Sequence, residues 1–306
     1  MPFTATRAFA LIVLLAAAAV LGLAPILVRL TETGPAAAGF WRLAFALPIL
    51  IAFTARPGGA GVGRPSKWMA LAGLFFALDM SFWHYGLHLT SVANATVLCN
   101  LTPVVVTLFA WVVLKERPKS LFVLALILAM GGAAAMALGA RAGSSGGERS
   151  LLGDLLSLSV TVWYASYFLA IQAARRNATA QRVMLWSTAV GAPLMLVAAL
   201  VLQERIAPLS LSGWAACIGL GLVHVAGQGG VAWALGRLPA ALTAVTILIQ
   251  PVVAALLGWW LFAETLTPVQ ALGGALVLAA VVLAQVSSRR AETKTGAEEA
   301  PAPVSS

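Results

Sequence analysis

The chain has 306 residues, of which 61% are hydrophobic and only 9% charged, against about 25% charged in a soluble globular domain. So few charges cannot cover a water-facing surface, which excludes a soluble protein and assigns most of the surface to lipid. The net charge of +9 sits on Lys and Arg scattered singly or in pairs between apolar runs, which excludes a soluble nucleic-acid-binding patch and is the pattern of membrane topology.

A spanning helix needs about 20 apolar residues. Apolar runs between breaks predict ten spans, near 8–30, 34–55, 68–89, 93–114, 119–139, 151–173, 183–203, 211–236, 239–262 and 268–287. The first follows Arg7 and stays apolar to Val28, longer than a signal-peptide core of about 7–15 residues, so it is expected to be retained as a span. The second carries Trp41 and Arg42, a cation inside the span rather than at its end. In the third, Asp79 is the only acid near the centre of any span, on a helical face with Phe75, Phe76, Phe82, Trp83 and Gly86. An ionisable group at that depth is a functional candidate: it can bind a substrate ammonium or act as a proton-coupling site. Its structural alternatives are an ion pair with Arg42 or a neutral, hydrogen-bonded acid. His84 and His88 stand four apart on the opposite face, without a third ligand in view, so no metal site is expected.

The fourth span places Asn100 and Thr102 beside Pro103 and ends at Glu116. Pro103 lacks an N–H and deprives the Cys99 carbonyl of its helical partner. The fifth span is featureless, and 141–150 is a polar linker. In the sixth, Trp163 and Tyr167 share one face near the centre, where anchoring at the membrane interface explains neither. With Trp41 and with Trp186 of the seventh span, they are expected to line an aromatic pocket for an apolar side chain and a cationic amine. His224 and Gln228 form an i, i+4 polar stripe in the eighth span, and Thr246 and Gln250 lie at mid-depth in the ninth. These groups and Asn100 are expected to bind substrate; hydrogen bonding between helices is the alternative. Pro251 interrupts the ninth span, Glu264 ends it, and the tail 289–306 is expected to be disordered. Cys99 and Cys217 fall in apolar runs and are packing residues. Among nucleotide, metal and redox signatures, no GxxxxGK[ST], HExxH or CxxC stretch occurs, so no cofactor is expected.

Two segments repeat. NLTPVVVTLFAWVVLKE at 100–116 and LIQPVVAALLGWWLFAE at 248–264 share Pro103/Pro251, Val104/Val252, Val105/Val253, Leu108/Leu256, Trp111/Trp259 and Glu116/Glu264. Trp41 and Pro48 match Trp186 and Pro193, while Trp68 and Gly73 match Trp214 and Gly219. The repeat is five spans long, and an odd number of crossings inverts the second copy. With both termini in the cytoplasm, the inner segments hold Arg7, Arg56, Arg64, Lys67, Lys115, Arg117, Lys119, Arg175, Arg176, Arg182, Arg237, Arg289, Arg290 and Lys294. The outer segments hold only Arg29, Arg141, Arg149 and Arg205, which satisfies the positive-inside rule. Residues 1–140 and 151–288 are thus expected to be two inverted five-helix halves, an architecture of secondary transporters with a central, alternately exposed site. Pro103 and Pro251 are expected to kink helices at that site. Glu116 and Glu264, each just before the next helix, are expected to cap helix starts.

The five-plus-five pattern, the mid-span proline with its closing glutamate in both halves, and the Trp41–Arg42 pair resemble the EamA-type transporters of the drug/metabolite transporter superfamily. The resemblance covers residues 8–287. It implies that spans 5 and 10 are peripheral, that spans 1–4 and 6–9 surround the cavity, and that the substrate is a small molecule such as an amino acid, another metabolite or a drug. One departure stands out: Ser187 occupies the position where the repeat would place a second arginine opposite Arg42. The expected function is secondary export of amino acids, leaning to aromatic or large neutral ones, from a monomer in the plasma (inner) membrane with no nucleic-acid partner. Efflux of lipophilic cationic drugs through a pocket centred on Asp79 is the alternative, and an intramembrane transferase is a weaker one because the acids are too dispersed.

Overall fold

A computed structural model describes residues 7–89, 98–112, 117–139, 151–262 and 266–298, and these are helical with no strand among them. The helices are α1 (Arg7–Leu21), α2 (Ala24–Leu30), α3 (Pro35–Ala55), α4 (Lys67–Leu89), α5 (Thr102–Val112), α6 (Ser120–Gly139) and α7 (Leu151–Arg175). They continue as α8 (Ala180–Val201), α9 (Leu211–Val223), a π-helical turn (His224–Gln228), α10 (Gly229–Leu235), α11 (Ala240–Ile247), α12 (Ile249–Phe262) and α13 (Pro268–Glu298).

Eight helical stretches among the described residues are long and apolar enough to cross a bilayer: 7–30, 35–55, 120–138, 151–175, 180–201, 211–235, 240–261 and 268–287. The other two expected spans fall short for different reasons. α4 is 23 residues long, but Lys67, Asp79, His84 and His88 dilute its apolar character. α5 is a short apolar helix whose flanks, 90–97 and 113–116, lie outside the described residues. Glu116, Glu264 and the linker 141–150 lie outside them too. α13 departs from expectation: it runs on to Glu298, into the segment expected to be disordered. Extending a formed helix by one residue needs no new nucleus, and Ala, Glu, Lys and Arg in this stretch are good helix formers.

Local chemistry closes the helix ends. Pro35 follows the Gly34 cap of α3, where its missing N–H costs nothing. The side chains of Thr179 and Ser210 cap α8 and α9. Thr267 and Gln270 form a reciprocal box at the start of α13, the backbone N–H of each donating to the other's side-chain oxygen at 2.9 and 3.2 Å.

Three helix pairs form the frame. α3 lies along α8, α4 along α7, and α6 along α13. The last pair touches backbone to backbone: a Cβ on Gly132 would stand 2.6 Å from the Gly273 carbonyl oxygen, and one on Gly273 2.6 Å from that of Gly132. α1 packs on α10, the π turn, α11 and α12, while α5 meets α7 and α11. Leu14, Leu43, Phe168, Met184 and Leu242 are fully buried between these layers. Val112, Ile127, Leu211 and Trp260 point outward with most of their surface exposed, which suits lipid and would be untenable in water.

Candidate functional site

The interior of the bundle holds a set of buried polar groups, Arg42, Asp79, Thr188, His224 and Gln228 among them. On α4, Asp79 is buried, one turn from Phe76. Phe76 is a hub: the Arg42 guanidinium of α3 lies 5.6 Å from its ring centroid, the His224 ring 5.6 Å away and the Tyr167 ring 5.3 Å away. Arg42 and Asp79 attract one another, yet among the described residues they form no ion pair, and no side chain hydrogen-bonds Asp79.

α7 supplies Tyr167, whose hydroxyl donates to Gln228 Oε1 at 3.3 Å. Tyr164 stacks on Tyr167 at 6.0 Å and turns its hydroxyl toward the side chains of Gln228 and Gln250. His224 and Gln228 are the first and last residues of the π-helical turn. Such a turn widens the backbone by one residue and recurs at functional sites. His224 Nε2 faces the Thr188 hydroxyl of α8 at 3.0 Å. When Thr188 donates to Nε2, the other ring nitrogen carries the proton and becomes a donor.

Several of these groups lack partners. Arg42 Nε, His224 Nδ1, Asn100 Nδ2, Ser157 Oγ and Trp163 Nε1 are buried without a hydrogen bond. An unmet buried polar group costs about 1–3 kcal/mol, and more when charged. Each such group in a native fold calls for an explanation, a ligand among them.

The two proline-interrupted spans break at matching places. The helix containing Leu98 and Cys99 turns at Asn100–Leu101 before α5 begins, and α11 ends at Leu248 before α12. Pro103 and Pro251 thus sit in the first turn after a break rather than inside a continuous helix. The Cys99 carbonyl left without a backbone donor accepts the Thr102 hydroxyl at 2.8 Å. Thr246, in contrast, bonds its own helix at the Leu242 carbonyl.

Trp163 and Tyr167 do not join Trp41 and Trp186 in one aromatic pocket. Trp163 stacks on Phe75 at 6.3 Å and meets the edge of Phe82 at 5.7 Å. Trp41 instead donates its indole N–H to the Ile206 carbonyl at 2.7 Å and packs on Phe45 and Trp214. Trp186 donates to the Val62 carbonyl at 2.9 Å. Ile206 lies in the loop after α8 and Val62 in the loop after α3, so the tryptophans clasp opposite ends of the α3–α8 pair. Adjacent helix positions differ by about 100°, which is why Arg42 faces the centre while Trp41 faces a loop. Other bonds reinforce each clasp. Ala37 N donates to Glu204 and Gly34 N to the Arg205 carbonyl at one end; Arg182 donates to the Gly61 and Ala60 carbonyls at the other.

Thr188 and Ser157 escape sequence reasoning, since a hydroxyl in a helix by default bonds its own backbone. The π turn leaves only a faint trace, the glycines at 227, 229 and 230. The side chains of His84 and His88 lie outside the described residues.

The signature of the EamA-like transporter family matches residues 8–138 and 151–285. An "uncharacterized transporter" from Archaeoglobus fulgidus is 28% identical over 268 residues, covering 87% of this chain and 93% of that protein. The pseudopaline exporter CntI of Pseudomonas aeruginosa is 28% identical over 240 residues, covering 76% of this chain and 80% of the exporter. A solved crystal structure shares the fold at a TM-score of 0.76 and 21% identity, covering 94% of this chain and all of that one.

Proposed function

This chain belongs to the EamA-like transporter family, and from that premise we propose that it is a secondary exporter of small amphipathic metabolites, chiefly large neutral or aromatic amino acids, and not an enzyme. The carrying observation is the buried cluster around Phe76. Arg42 and Asp79 come from the first half of the chain, Tyr167, His224 and Gln228 from the second, so any rocking of one half against the other alters the cluster.

Several features support a build of ten helices in two inverted halves. The two tryptophan clasps are reciprocal, each half's loop being held by the other half's indole. The packing is reciprocal too: α4 against α7 is answered by α10 against α1, α4 against α8 by α9 against α3, and α5 against α7 by α11 and α12 against α1. Broken helices at equivalent places in the two halves are where transporters bind substrate. The distribution of Lys and Arg supports cytoplasmic termini in an inner membrane. The resemblance to a pseudopaline exporter supports export of a metabolite. The interior cation Arg42 favours a substrate with an anionic group over a lipophilic cation.

The test is flux of labelled large neutral amino acids in proteoliposomes, with and without a pH gradient. Saturable flux lost in Tyr167→Phe/Gln228→Leu supports this reading. Flux of a quaternary ammonium with none of amino acids would replace it with drug efflux. Thiol labelling of cysteines placed at 116 and 264 from one side only would break the inverted topology.

A further inference from the structure

We propose that Arg42 and Asp79 are a divided ion pair that reads both charges of a zwitterion, the substrate's carboxylate docking on Arg42 and His224 and its ammonium on Asp79. This rests on the export reading above and assigns its substrate class.

The starting point is an energetic anomaly. A buried cation and a buried anion normally close on one another, because desolvation is repaid only at contact with every polar atom satisfied. Here the two attract but form no contact pair among the described residues. Arg42 is drawn over the face of Phe76, a cation–π contact that strengthens once water is excluded. Its Nε remains without an acceptor. A guanidinium is a planar fork that matches a carboxylate with two parallel hydrogen bonds.

His224 completes the anionic subsite. Its ring packs on the same Phe76 ring, 5.6 Å between centroids, and its Nδ1 is buried and unpartnered. With Thr188 donating to Nε2, Nδ1–H is a neutral donor. Two donors of one sign without acceptors call for an anion, and Asp79 calls for a cation within reach of the same site. One molecule bearing both charges satisfies all three at once and adds no net charge. A lone amine would leave Arg42 unmet, and a lone acid would leave Asp79 unmet. Each omission leaves a buried group stripped of water and partner, which is why sites built for a polar group reject analogues lacking it. The repeat supports the asymmetry: Ser187 replaces the second arginine, so the carboxylate has one docking point and the zwitterion one orientation.

The experiment measures inhibition of labelled phenylalanine flux in proteoliposomes by three competitors: phenylalanine, its amide, which lacks the carboxylate, and 3-phenylpropionate, which lacks the amine. In the unsubstituted protein, phenylalanine should inhibit at concentrations at least tenfold below either analogue. In Arg42→Gln the gap to the amide should close while the gap to 3-phenylpropionate persists, and Asp79→Asn should do the reverse. Thermal stabilisation of the unsubstituted protein by the same three ligands gives the ranking without any variant, so a variant that fails to fold leaves the proposal testable. Phenylalanine flux with equal inhibition by all three competitors overturns the zwitterion site and leaves the export reading intact. Absence of both phenylalanine flux and stabilisation overturns the export reading, and the zwitterion site falls with it. If Arg42→Gln retains tenfold discrimination against the amide, Arg42 is not the carboxylate group.

Discussion

The two ends of the α3–α8 pair share a central bond and differ in everything around it. At each end an indole N–H reaches a loop carbonyl of the opposite half, at 2.7 Å from Trp41 and 2.9 Å from Trp186. At the Trp41 end the reinforcement is anionic: the Glu204 carboxylate accepts the Ala37 N–H at the start of α3, where the helix dipole favours negative charge. At the Trp186 end it is cationic, with Arg182 donating to loop carbonyls. Trp41 also sits in a cluster with Phe40, Phe45 and Trp214, whereas Trp186 has no aromatic partner among the described residues. Opposite chemistries thus meet one geometric demand, holding a loop across a helix start. The reinforcement differs between the two ends while the indole bond is common to both.

Unequal surroundings predict unequal losses. Trp41→Ala should cost about 3–5 kcal/mol, the range for a large aromatic removed from a packed site. Trp186→Ala should cost well under half of that, since it removes chiefly one hydrogen bond of about 1 kcal/mol and partial packing. Melting of the two variants in detergent measures the difference, and equal losses would show that the aromatic cluster contributes nothing at the Trp41 end.

Glycines sharpen the contrast. A Cβ on Gly34 would stand 2.4 Å from Glu204 Cβ. A Cβ on Gly63 would stand 2.9 Å from Arg182 Cζ, the mobile end of a long side chain, but Gly63 also has φ of +54°, costing a non-glycine residue about 1–2 kcal/mol. Gly34→Ala should therefore be largely rescued by adding Glu204→Gly, which removes the opposing Cβ along with the carboxylate. Gly63→Ala should not be rescued by Arg182→Ala, because the backbone strain stays. Rescue of both pairs would mean the turn at Gly63 relaxes without cost.

The contrast also marks how far sequence reasoning reaches. Spans were legible because lipid demands apolar runs, and Asp79, Tyr167, His224 and Gln228 were legible because polar groups in such runs stand out. The repeat pairs Trp41 with Trp186, but pairing carries no direction, and the expected central pocket includes both although they face loops. Ser187 opposite Arg42 marks a departure within the repeat, but that departure alone does not say what Arg42 faces. Thr188 and the π turn were not legible, since one depends on a neighbouring helix and the other on a single extra residue in the backbone ladder.

The smallest expected effect is confined to the Trp41 end. Glu32, at φ +58°, accepts from the N–H groups of Leu209 and Ser210 at 3.0 Å each and from the Ser210 hydroxyl at 2.9 Å. The Ser210 hydroxyl first, then these N–H groups and the charge of Arg205, hold the Glu32 carboxyl below its ordinary value of 4.5, against an opposing desolvation. A carboxyl whose acidity is strengthened by folding contributes stability that is complete above its unfolded value and is lost as pH falls through the lower folded value. The melting temperatures of the unsubstituted protein and Glu32→Gln should therefore differ by a constant amount from pH 8 to about 5.5 and converge only below about 4.5. At the Trp186 end the reinforcing bonds run from Arg182 to backbone carbonyls, so Arg182→Gln should shift melting equally at every pH tested. Convergence of the Glu32 pair already between pH 8 and 6 would show that Ser210 and the backbone do not hold the carboxylate, and the two ends would then differ in charge sign alone.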